Sequence, residues 1–214
     1  MSAKLSTVDL GFVHLYEPPK EGEKLTLLLL HGTGGDENDL VPLGQALAPK
    51  AGVLSIRGKV LENGSPRFFR RLAFGVFDEE DLTFRTNELA TFLEAASRHY
   101  GFDSQKLVAV GFSNGANIAA SLLLRNPEAL AGGILLRSMI PFTPERLPVL
   151  ARKPILMLSG DRDSIVPTDN AKRLAALFQQ AGADVTLTLQ NAGHALTKSD
   201  LITAQEWLTD HFPT

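Results

Sequence analysis

The sequence predicts a doubly wound α/β domain, in which helices flank a mostly parallel sheet. Short apolar runs such as residues 25–30 and 131–136 recur along the chain, and segments with helical spacing of apolar residues lie between them. The runs are almost continuously apolar, which is typical of strands covered on both faces. With 214 residues, 44% of them hydrophobic, the chain can bury one sizeable core, so we expect a single domain over residues 1–214.

Composition narrows the classes of function. The formal net charge is −3 and the basic residues are scattered, which argues against a nucleic-acid partner. The absence of cysteine excludes disulfides, thiolate metal sites and a cysteine nucleophile. Residues 1–19 lack the pattern of a secretory leader, and the run 25–30 is too short to span a bilayer. We therefore expect a cytoplasmic protein without membrane insertion.

The first part of the chain alternates between strand and helix signals. Residues 12–16 predict a short edge strand, and residues 25–30 predict a buried one. An acidic stretch at 36–39 marks a helix start, and residues 51–56 form the next strand. Residues 57–81 have no clean period and are rich in aromatic residues. Because such a long irregular segment is usually functional, we predict an active-site flap here.

The second part continues the same alternation. Periodicity predicts helices over residues 82–100, 116–124, 168–181 and 199–212, and strands over residues 106–110, 131–136, 154–159 and 184–189.

The most informative motif is Gly-Phe-Ser-Asn-Gly at residues 111–115, between a predicted strand and a predicted helix. In that context G-x-S-x-G indicates a nucleophile elbow, in which Ser113 occupies a strained turn and presents its hydroxyl above the sheet. The helix start also aims free N–H groups at charge that develops beside the serine. A plain turn between strand and helix is the simpler alternative.

A glycine-rich turn, His-Gly-Thr-Gly-Gly at residues 31–35, follows the predicted strand 25–30. We interpret the N–H of Thr33 as one oxyanion donor and the N–H of Asn114 as the other. A phosphate-binding loop is disfavoured because the lysine of G-x-x-x-x-G-K-[ST] and the G-x-G-x-x-G pattern are both missing. A plain tight turn remains an alternative, and His31 is interpreted as structural.

The acid and the base of a serine nucleophile are sought on loops after later strands. Asp161 and Asp163 both follow the predicted strand 154–159, and either could orient an imidazole. His194 lies on a glycine-flanked loop after the last strand, where an α/β-hydrolase places its base. In this order of nucleophile, acid and base, His194 would take the Ser113 proton as Ser113 attacks a carbonyl. Such chemistry needs no metal and no organic cofactor.

The substrate pocket is expected at the flap and at the carboxyl edge of the sheet. The flap aromatics would form an apolar wall, and an arginine could meet an acidic part of the substrate. Packing and ion pairing explain the same residues equally well. The predicted lining consists of Phe68, Phe69, Arg70, Arg71, Met139, Ile140, Ile165 and Leu196.

Four motifs together carry a family resemblance. L-H-G-x-G, G-F-S-x-G, G-x-x-D-x-x-V-P and G-H stand at residues 30–34, 111–115, 160–167 and 193–194. Over essentially its whole length the chain resembles the phospholipase/carboxylesterase family of α/β-hydrolases, which includes the acyl-protein thioesterases. The resemblance selects Asp163 over Asp161, because the matching aspartate precedes x-x-V-P.

A narrower similarity indicates the substrate class. Residues 57–58, 67–71, 77–82 and 113–117 are similar to a bacterial branch of hydrolases linked to hydroquinone and aromatic-stress responses. Asn114 stands where the thioesterases usually have glutamine, which argues against long-chain acyl-protein substrates. The resemblance implies esterase activity on small to medium acyl or aromatic esters, with thioesters as a further option, and raises a homodimer as an expectation.

Two other classes of function stay open. A lyase or C–C hydrolase would use Ser113 and His194 but turn over simple esters weakly, and fold alone does not distinguish it. A non-catalytic small-molecule sensor is disfavoured, because a binding module gains nothing from a strained serine beside a base.

Overall fold

The computed structural model describes residues 4–5 and 9–213. Its strands are β1 (Lys4–Leu5), β2 (His14–Glu17), β3 (Thr26–Leu30), β4 (Gly52–Ile56), β5 (Val60–Glu62), β6 (Ser65–Arg67), β7 (Arg71–Ala73), β8 (Val76–Phe77), β9 (Leu107–Phe112), β10 (Gly132–Leu136), β11 (Pro154–Gly160) and β12 (Asp184–Gln190). Its α-helices are α1 (Val41–Leu47), α2 (Glu79–Tyr100), α3 (Asn114–Arg125), α4 (Thr168–Gln180) and α5 (Lys198–His211).

An eight-stranded sheet in the order β1-β2-β4-β3-β9-β10-β11-β12 forms the centre of the domain. The strands from β4 to β12 in this order pair in parallel, whereas β1 and β2 pair antiparallel at one end. The prediction of a mostly parallel sheet in one α/β domain is confirmed. The predicted edge position of β2 is wrong, because β1 pairs along its outer side; a strand of two residues leaves no periodic signal in the sequence.

The central strands are buried on both faces, as their continuous apolar runs predict. In β3, Leu28 and Leu30 belong to one core layer, whereas Leu27 and Leu29 belong to the other. This division follows from the two-residue period of a strand, which sends successive side chains to opposite faces. Each face therefore needs its own cover of helices.

Helices on the two faces supply that cover. On one face α2, α3 and α4 contribute Leu89, Leu123 and Phe178 to the first core layer. On the other face α1 and α5 contribute Leu47 and Trp207 to the second layer. The sheet is thereby fixed between two helical layers, and its carboxyl edge is left to the loops that form the candidate site.

Local capping sets the start of α2. The Asp78 side chain accepts a hydrogen bond from the N–H of Asp81 at 3.0 Å, and Gly101 ends the helix with a positive φ of 76°. The helix therefore begins three residues before the predicted start at 82, since its first turn is acidic and carries no apolar period. Within the described residues, no helix is both long and apolar enough to cross a membrane.

The segment 57–81 is built from two short antiparallel hairpins. β5 pairs with β6, and β7 pairs with β8 with an irregular register. These strands are two or three residues long, too short to give a period, which explains why the sequence predicts no elements here. The second hairpin exposes Leu72, Phe74 and Val76.

Candidate active site

The candidate site lies at the carboxyl edge of the parallel strands. Thr33 follows β3, Ser113 follows β9, Asp163 follows β11 and His194 follows β12. Because the carboxyl ends of parallel strands meet at the same edge, residues up to 161 positions apart in sequence converge there.

Ser113 occupies the sharp turn between β9 and α3, with φ 52° and ψ −112°. A β-carbon at Gly111 would lie 2.6 Å from the Gly115 carbonyl oxygen, and one at Gly115 would overlap the Leu30 carbonyl. Both glycines are therefore required by the close approach of β9, β3 and α3. A non-glycine residue at positive φ is strained, and such strain concentrates at functional sites.

A hydrogen-bonded chain joins three predicted residues. The Nε2 atom of His194 lies 2.9 Å from Ser113 Oγ, and its Nδ1 atom lies 2.8 Å from Asp163 Oδ2. The other Asp163 oxygen accepts from the N–H groups of Ile165 at 2.8 Å and Val166 at 3.0 Å. The Asp163 side chain is fully buried, whereas that of His194 is 20% exposed. The imidazole is thus held by a fixed carboxylate and still reaches the cavity.

Of the two candidate acids, the structure places only Asp163 beside the imidazole. Asp161 takes no part in the hydrogen bonds that join Ser113, His194 and Asp163. Its side chain is 47% exposed and lies 3.8 Å from the guanidinium of Arg162. The loop after β11 carries both aspartates, but only the third residue after the strand turns inward. The residue pattern alone leaves the choice between the two aspartates open, and the structure shows that Asp163 is the one that contacts His194.

The two predicted oxyanion donors border the same cavity. The Asn114 N–H is the first of α3 and so has no acceptor within the helix. In the described part of the chain no backbone acceptor is found for the Thr33 N–H, although its neighbours Gly34 and Gly35 donate to Pro66 and Gly32. Both N–H groups are available to a developing negative charge.

Three consecutive flap residues tie the two donor loops together. The Pro66 carbonyl accepts from the Gly34 N–H at 2.9 Å, and Arg67 Nη1 donates to Thr33 Oγ1 at 2.6 Å. The Phe68 N–H donates to Asn114 Oδ1 at 2.7 Å. The first hairpin of the flap is therefore part of the frame of the site. Burial, and secondly the neighbouring Arg71, lower the pKa of the Arg67 guanidinium from its ordinary value.

His31 is buried and both of its ring nitrogens are occupied. Its Nδ1 atom lies 2.6 Å from the Gly32 carbonyl, and its Nε2 accepts from the Gly58 N–H at 2.9 Å. Desolvation lowers the pKa of His31, which favours the neutral form that can accept from Gly58. These contacts fix the turn at 31–35 against the base of the flap, in agreement with the structural interpretation of His31.

A cavity of about 250 Å³ opens beside Ser113. Three of the predicted pocket residues, Arg71, Met139 and Ile165, line it. The full lining is Thr33, Arg67, Arg71, Phe74, Gly75, Phe77, Phe112, Ser113, Asn114, Asn117, Arg137, Met139, Ile165, Val166 and His194.

Four predicted pocket residues lie outside this lining. Phe68 and Phe69 are 2% and 0% exposed and pack in the core, because the flap backbone turns them toward the sheet. Ile140 packs against the same core layer, and Leu196 packs against the layer on the other face. These four residues therefore serve packing, which is the alternative that the sequence leaves open for them.

Arg70 also lies outside the cavity. Its side chain is 62% exposed and its guanidinium lies 3.0 Å from Asp78 and 3.7 Å from Asp81. The acidic start of α2 draws this arginine to the outer side of the flap. Of the two arginines considered for an acidic substrate group, only Arg71 borders the cavity.

The sequence predicts that the flap aromatics form an apolar wall, and Phe74 and Phe77 line the cavity, although no period shows which ring faces it. Other lining residues were missed by sequence reasoning. Phe112 and Asn117 flank the elbow, so proximity to Ser113 was a usable signal for both. Arg137 directly follows the apolar run of β10, and a charged residue at that position was the only hint of its role.

No group of three or more histidine, aspartate or glutamate side chains is arranged to hold a metal ion within residues 4–5 and 9–213. The groups that meet at the cavity are a serine hydroxyl, an imidazole paired with a carboxylate, and the N–H groups of Thr33 and Asn114. That set suits nucleophilic attack on a carbonyl.

The contact between the flap and Asn114 yields a first prediction. Asn114→Ala should lower the free energy of unfolding by about 1–3 kcal/mol, because the buried Phe68 N–H loses its acceptor. Urea unfolding followed by circular dichroism measures this. Asn87→Ala, at an exposed position of α2, is the matched control and should change the stability by less than about 0.5 kcal/mol. Equal stability of the two variants would show that the flap does not depend on this bond.

Comparisons with known proteins agree with this architecture. The model of the dienelactone hydrolase family matches residues 59–206. The "Putative hydrolase MhqD" of Bacillus subtilis (strain 168) is 44% identical over 194 residues, which cover 91% of this chain and 96% of that protein. The crystal structure of the Bacillus cereus carboxylesterase superposes with a TM-score of 0.93 at 47% identity and covers 95% of this chain and 96% of the other.

A further solved structure, YahD with malic acid, has a TM-score of 0.89 at 30% identity and covers 94% of this chain and 99% of the other. The expected similarity to carboxylesterases of α/β-hydrolase fold is thus confirmed, and the matching family model extends over most of the chain. The chain is a hydrolase that belongs to the dienelactone hydrolase family.

Proposed function

We propose that the chain is a serine carboxylesterase that cleaves small to medium carboxylic esters, including aromatic esters and thioesters, through an acyl-enzyme on Ser113. The observation that carries this proposal is the chain from Ser113 through His194 to Asp163, with contacts of 2.9 and 2.8 Å, at the wall of a cavity. The similarity to the Bacillus cereus carboxylesterase supports the choice of an ester bond.

The proposed acylation step follows from these contacts. Asp163 accepts from the Nδ1–H of His194, which leaves Nε2 free to accept the Ser113 proton. Ser113 Oγ attacks the ester carbonyl carbon, and its proton passes to His194. The tetrahedral intermediate collapses when the bond to the leaving alcohol or thiol breaks and His194 returns the proton to it. Water then hydrolyses the acyl-enzyme by the same proton transfers.

The N–H groups of Thr33 and Asn114 are proposed to hold the oxyanion. Each such donor contributes about 3 kcal/mol to transition-state stabilisation in acyl-transfer enzymes. The Pro66 carbonyl accepts a hydrogen bond from the loop of Thr33, and Arg67 and Phe68 donate to Thr33 and Asn114. These bonds hold the loops that carry both oxyanion donors, so that little reorganisation is needed when the charge develops. The flap thereby contributes to the reaction through the oxyanion site as well as through the pocket wall.

The size of the cavity suggests the acyl length. A volume of about 250 Å³ lies below the usual range of about 300–1,000 Å³ for sites that enclose drug-sized ligands. We expect hydrolysis of a p-nitrophenyl ester series to be fastest between acetate and hexanoate and to fall toward decanoate. Release of p-nitrophenolate measures this. Absence of turnover with every member would contradict the esterase proposal.

The cavity charge suggests an acidic substituent on the substrate. Arg67 and Arg71 share the single carboxylate of Glu62, at 3.1 and 2.8 Å, which leaves a net positive charge at one wall. One structural neighbour is the structure of YahD with malic acid, a dicarboxylic acid. A carboxylate carried by the substrate would find a guanidinium partner here.

A charged and a neutral ester test this part of the proposal. Arg71→Gln should lower the ratio of kcat/KM for p-nitrophenyl hemisuccinate over p-nitrophenyl butyrate by about tenfold, the effect of one lost charge-assisted hydrogen bond. Arg70→Gln is the matched control, because Arg70 is exposed and lies outside the cavity. The same ratio in both variants would remove Arg71 from substrate recognition.

A homodimer and a cytoplasmic location remain predictions.

A further inference from the structure

Arg137 is a completely buried arginine at the carboxyl end of β10. It adopts a positive φ of 57°. Its N–H donates to the Leu158 carbonyl of β11, and the preceding Leu136 carbonyl accepts from the Ser113 N–H, both at 2.8 Å. Arg137 therefore stands beside the nucleophile elbow, on the strand between the one that carries Ser113 and the one that precedes Asp163.

The guanidinium of Arg137 has an acceptor for each of its five N–H donors. Two bonds go to the carboxylate of Asp200, at 2.9 and 2.7 Å, and one goes to the Leu158 carbonyl at 3.1 Å. The remaining two go to the carbonyls of Gly193 at 3.1 Å and Ala195 at 3.0 Å. These two carbonyls belong to the residues on either side of His194.

Asp200 connects the same guanidinium to the end of the His194 loop. One of its oxygens accepts from both the N–H and the Oγ1 of Thr197 at 2.8 Å, and Thr197 is the N-cap of α5. Burial acts to raise the pKa of Asp200, but the hydrogen bonds from Arg137 and Thr197 outweigh it and lower that pKa. Residues 193–197 are thus held between a guanidinium and a helix start.

Stability alone does not account for a pair of this kind. A buried ion pair can usually be replaced by apolar residues of similar volume with little loss of stability, because desolvation offsets the Coulombic attraction. Apolar side chains cannot, however, fix two loop carbonyls in space. The planar fork of an arginine can do so, and a lysine ammonium cannot reproduce its geometry.

We propose that Arg137, paired with Asp200, is a positioning residue that holds the loop of His194 so that Nε2 faces Ser113 Oγ. This inference rests on the proposed function, in which His194 is the base. The His194 side chain is partly exposed and has the ring of Phe112 as its aromatic neighbour, with centroids 5.3 Å apart. The Asp163 carboxylate orients the ring through Nδ1, and the backbone restraint on both sides of His194 fixes where the ring is attached. A displacement of 1 Å at such a site can cost about 100-fold in rate.

The first test compares Arg137→Lys with Leu93→Ala. Leu93 is a buried residue of α2 in the first core layer, whereas α5, which carries Asp200, covers the other face of the sheet, so that truncation of Leu93 destabilises the fold without removing a contact to the His194 loop. Both are assayed at a temperature at which each is folded. We expect Arg137→Lys to lower kcat for p-nitrophenyl butyrate about 30- to 100-fold with KM within threefold. Leu93→Ala should keep kcat within about threefold.

A spectroscopic readout separates this inference from the esterase proposal. In a proton NMR spectrum the Nδ1–H of His194, bonded to Asp163, should give a downfield resonance that His194→Ala lacks. Arg137→Lys should shift or broaden it, and Leu93→Ala should leave it in place. A wild-type protein with this resonance and no ester turnover would refute the proposed function and leave the positioning role intact.

A double variant covers the case in which Arg137→Lys does not fold. Arg137→Met with Asp200→Leu removes both buried charges together, which is the replacement that preserves folding elsewhere. The same loss of kcat and the same change in the resonance are expected. A folded variant of either kind with wild-type kcat and an unchanged resonance would overturn the positioning role.

Discussion

Ser113→Ala should lower kcat/KM for p-nitrophenyl butyrate by a factor of about 10⁴–10⁶. The reason is that Ser113 Oγ is the atom that His194 faces at 2.9 Å, and alanine leaves no oxygen to form the acyl-enzyme. The fold should survive, because the turn is set by the close packing at Gly111 and Gly115 rather than by the hydroxyl. Steady-state release of p-nitrophenolate measures the change.

Ser164→Ala is the matched control for this substitution. Ser164 lies exposed on the loop after β11, near Asp163 but outside the cavity lining. Its loss should change kcat/KM by less than about twofold, as expected for a surface substitution. A Ser113→Ala variant that keeps more than a tenth of wild-type activity while folded would rule out the acyl-enzyme route.

Asp163→Asn should lower kcat by about 10⁴-fold, with the corresponding change at Asp161 as its control. In the Ser-His-Asp enzymes, asparagine at the acid position stabilises the wrong imidazole tautomer and costs about 10⁴ in kcat. Asp163 lies 2.8 Å from Nδ1 of His194 and its side chain is fully buried. Asp161→Asn removes a charge from an exposed side chain and should leave kcat within about twofold.

The comparison of these two variants distinguishes the two readings that the residues alone leave open. Both aspartates lie on one loop, two positions apart, and both substitutions remove one negative charge. Equal losses of kcat would mean that the loop charge, rather than the bond to His194, supports the reaction. A loss of kcat only in Asp161→Asn would mean that Asp161, and not Asp163, supports the imidazole, which would contradict the observed geometry.

The motifs predict which residues come together at the candidate site because each motif is local. Glycines at 111 and 115 report a turn that the backbone itself requires, and Ser113, Thr33 and His194 each lie on the turn or loop that follows a strand of the parallel sheet. Parallel strands bring such loops together whatever the helices between them look like. The residue pattern therefore predicts which loops meet and by itself leaves open which of the two aspartates turns inward, whereas the family resemblance selects Asp163.

The pocket is less predictable because its residues depend on tertiary packing. Phe69 and Phe77 are both aromatic residues of the flap and pack edge to face, with centroids 5.1 Å apart. Phe69 is fully buried, whereas Phe77 borders the cavity. With strands of two or three residues, no hydrophobic period indicates which ring faces which side.

The role of Arg137 is not predictable from the sequence for a different reason. An arginine directly after an apolar strand is most simply read as a solvated residue at the edge of the sheet, because arginine is rarely buried unless paired. Its partner Asp200 lies 63 positions away, and the acceptors of its other side-chain bonds are main-chain carbonyls. Contacts of that kind leave no pattern in the sequence.

Covalent trapping of Ser113 is the most direct test of its role as a nucleophile activated by His194. The protein is treated with a fluorophosphonate, digested, and the peptides are mapped by mass spectrometry, with His194→Ala treated in parallel. We expect one adduct, on Ser113, that forms in the wild type and at least about 100-fold more slowly in His194→Ala, because the general base is lost. Absence of an adduct on Ser113 in the wild type, or equally fast labelling in His194→Ala, would show that Ser113 is not a nucleophile activated by His194.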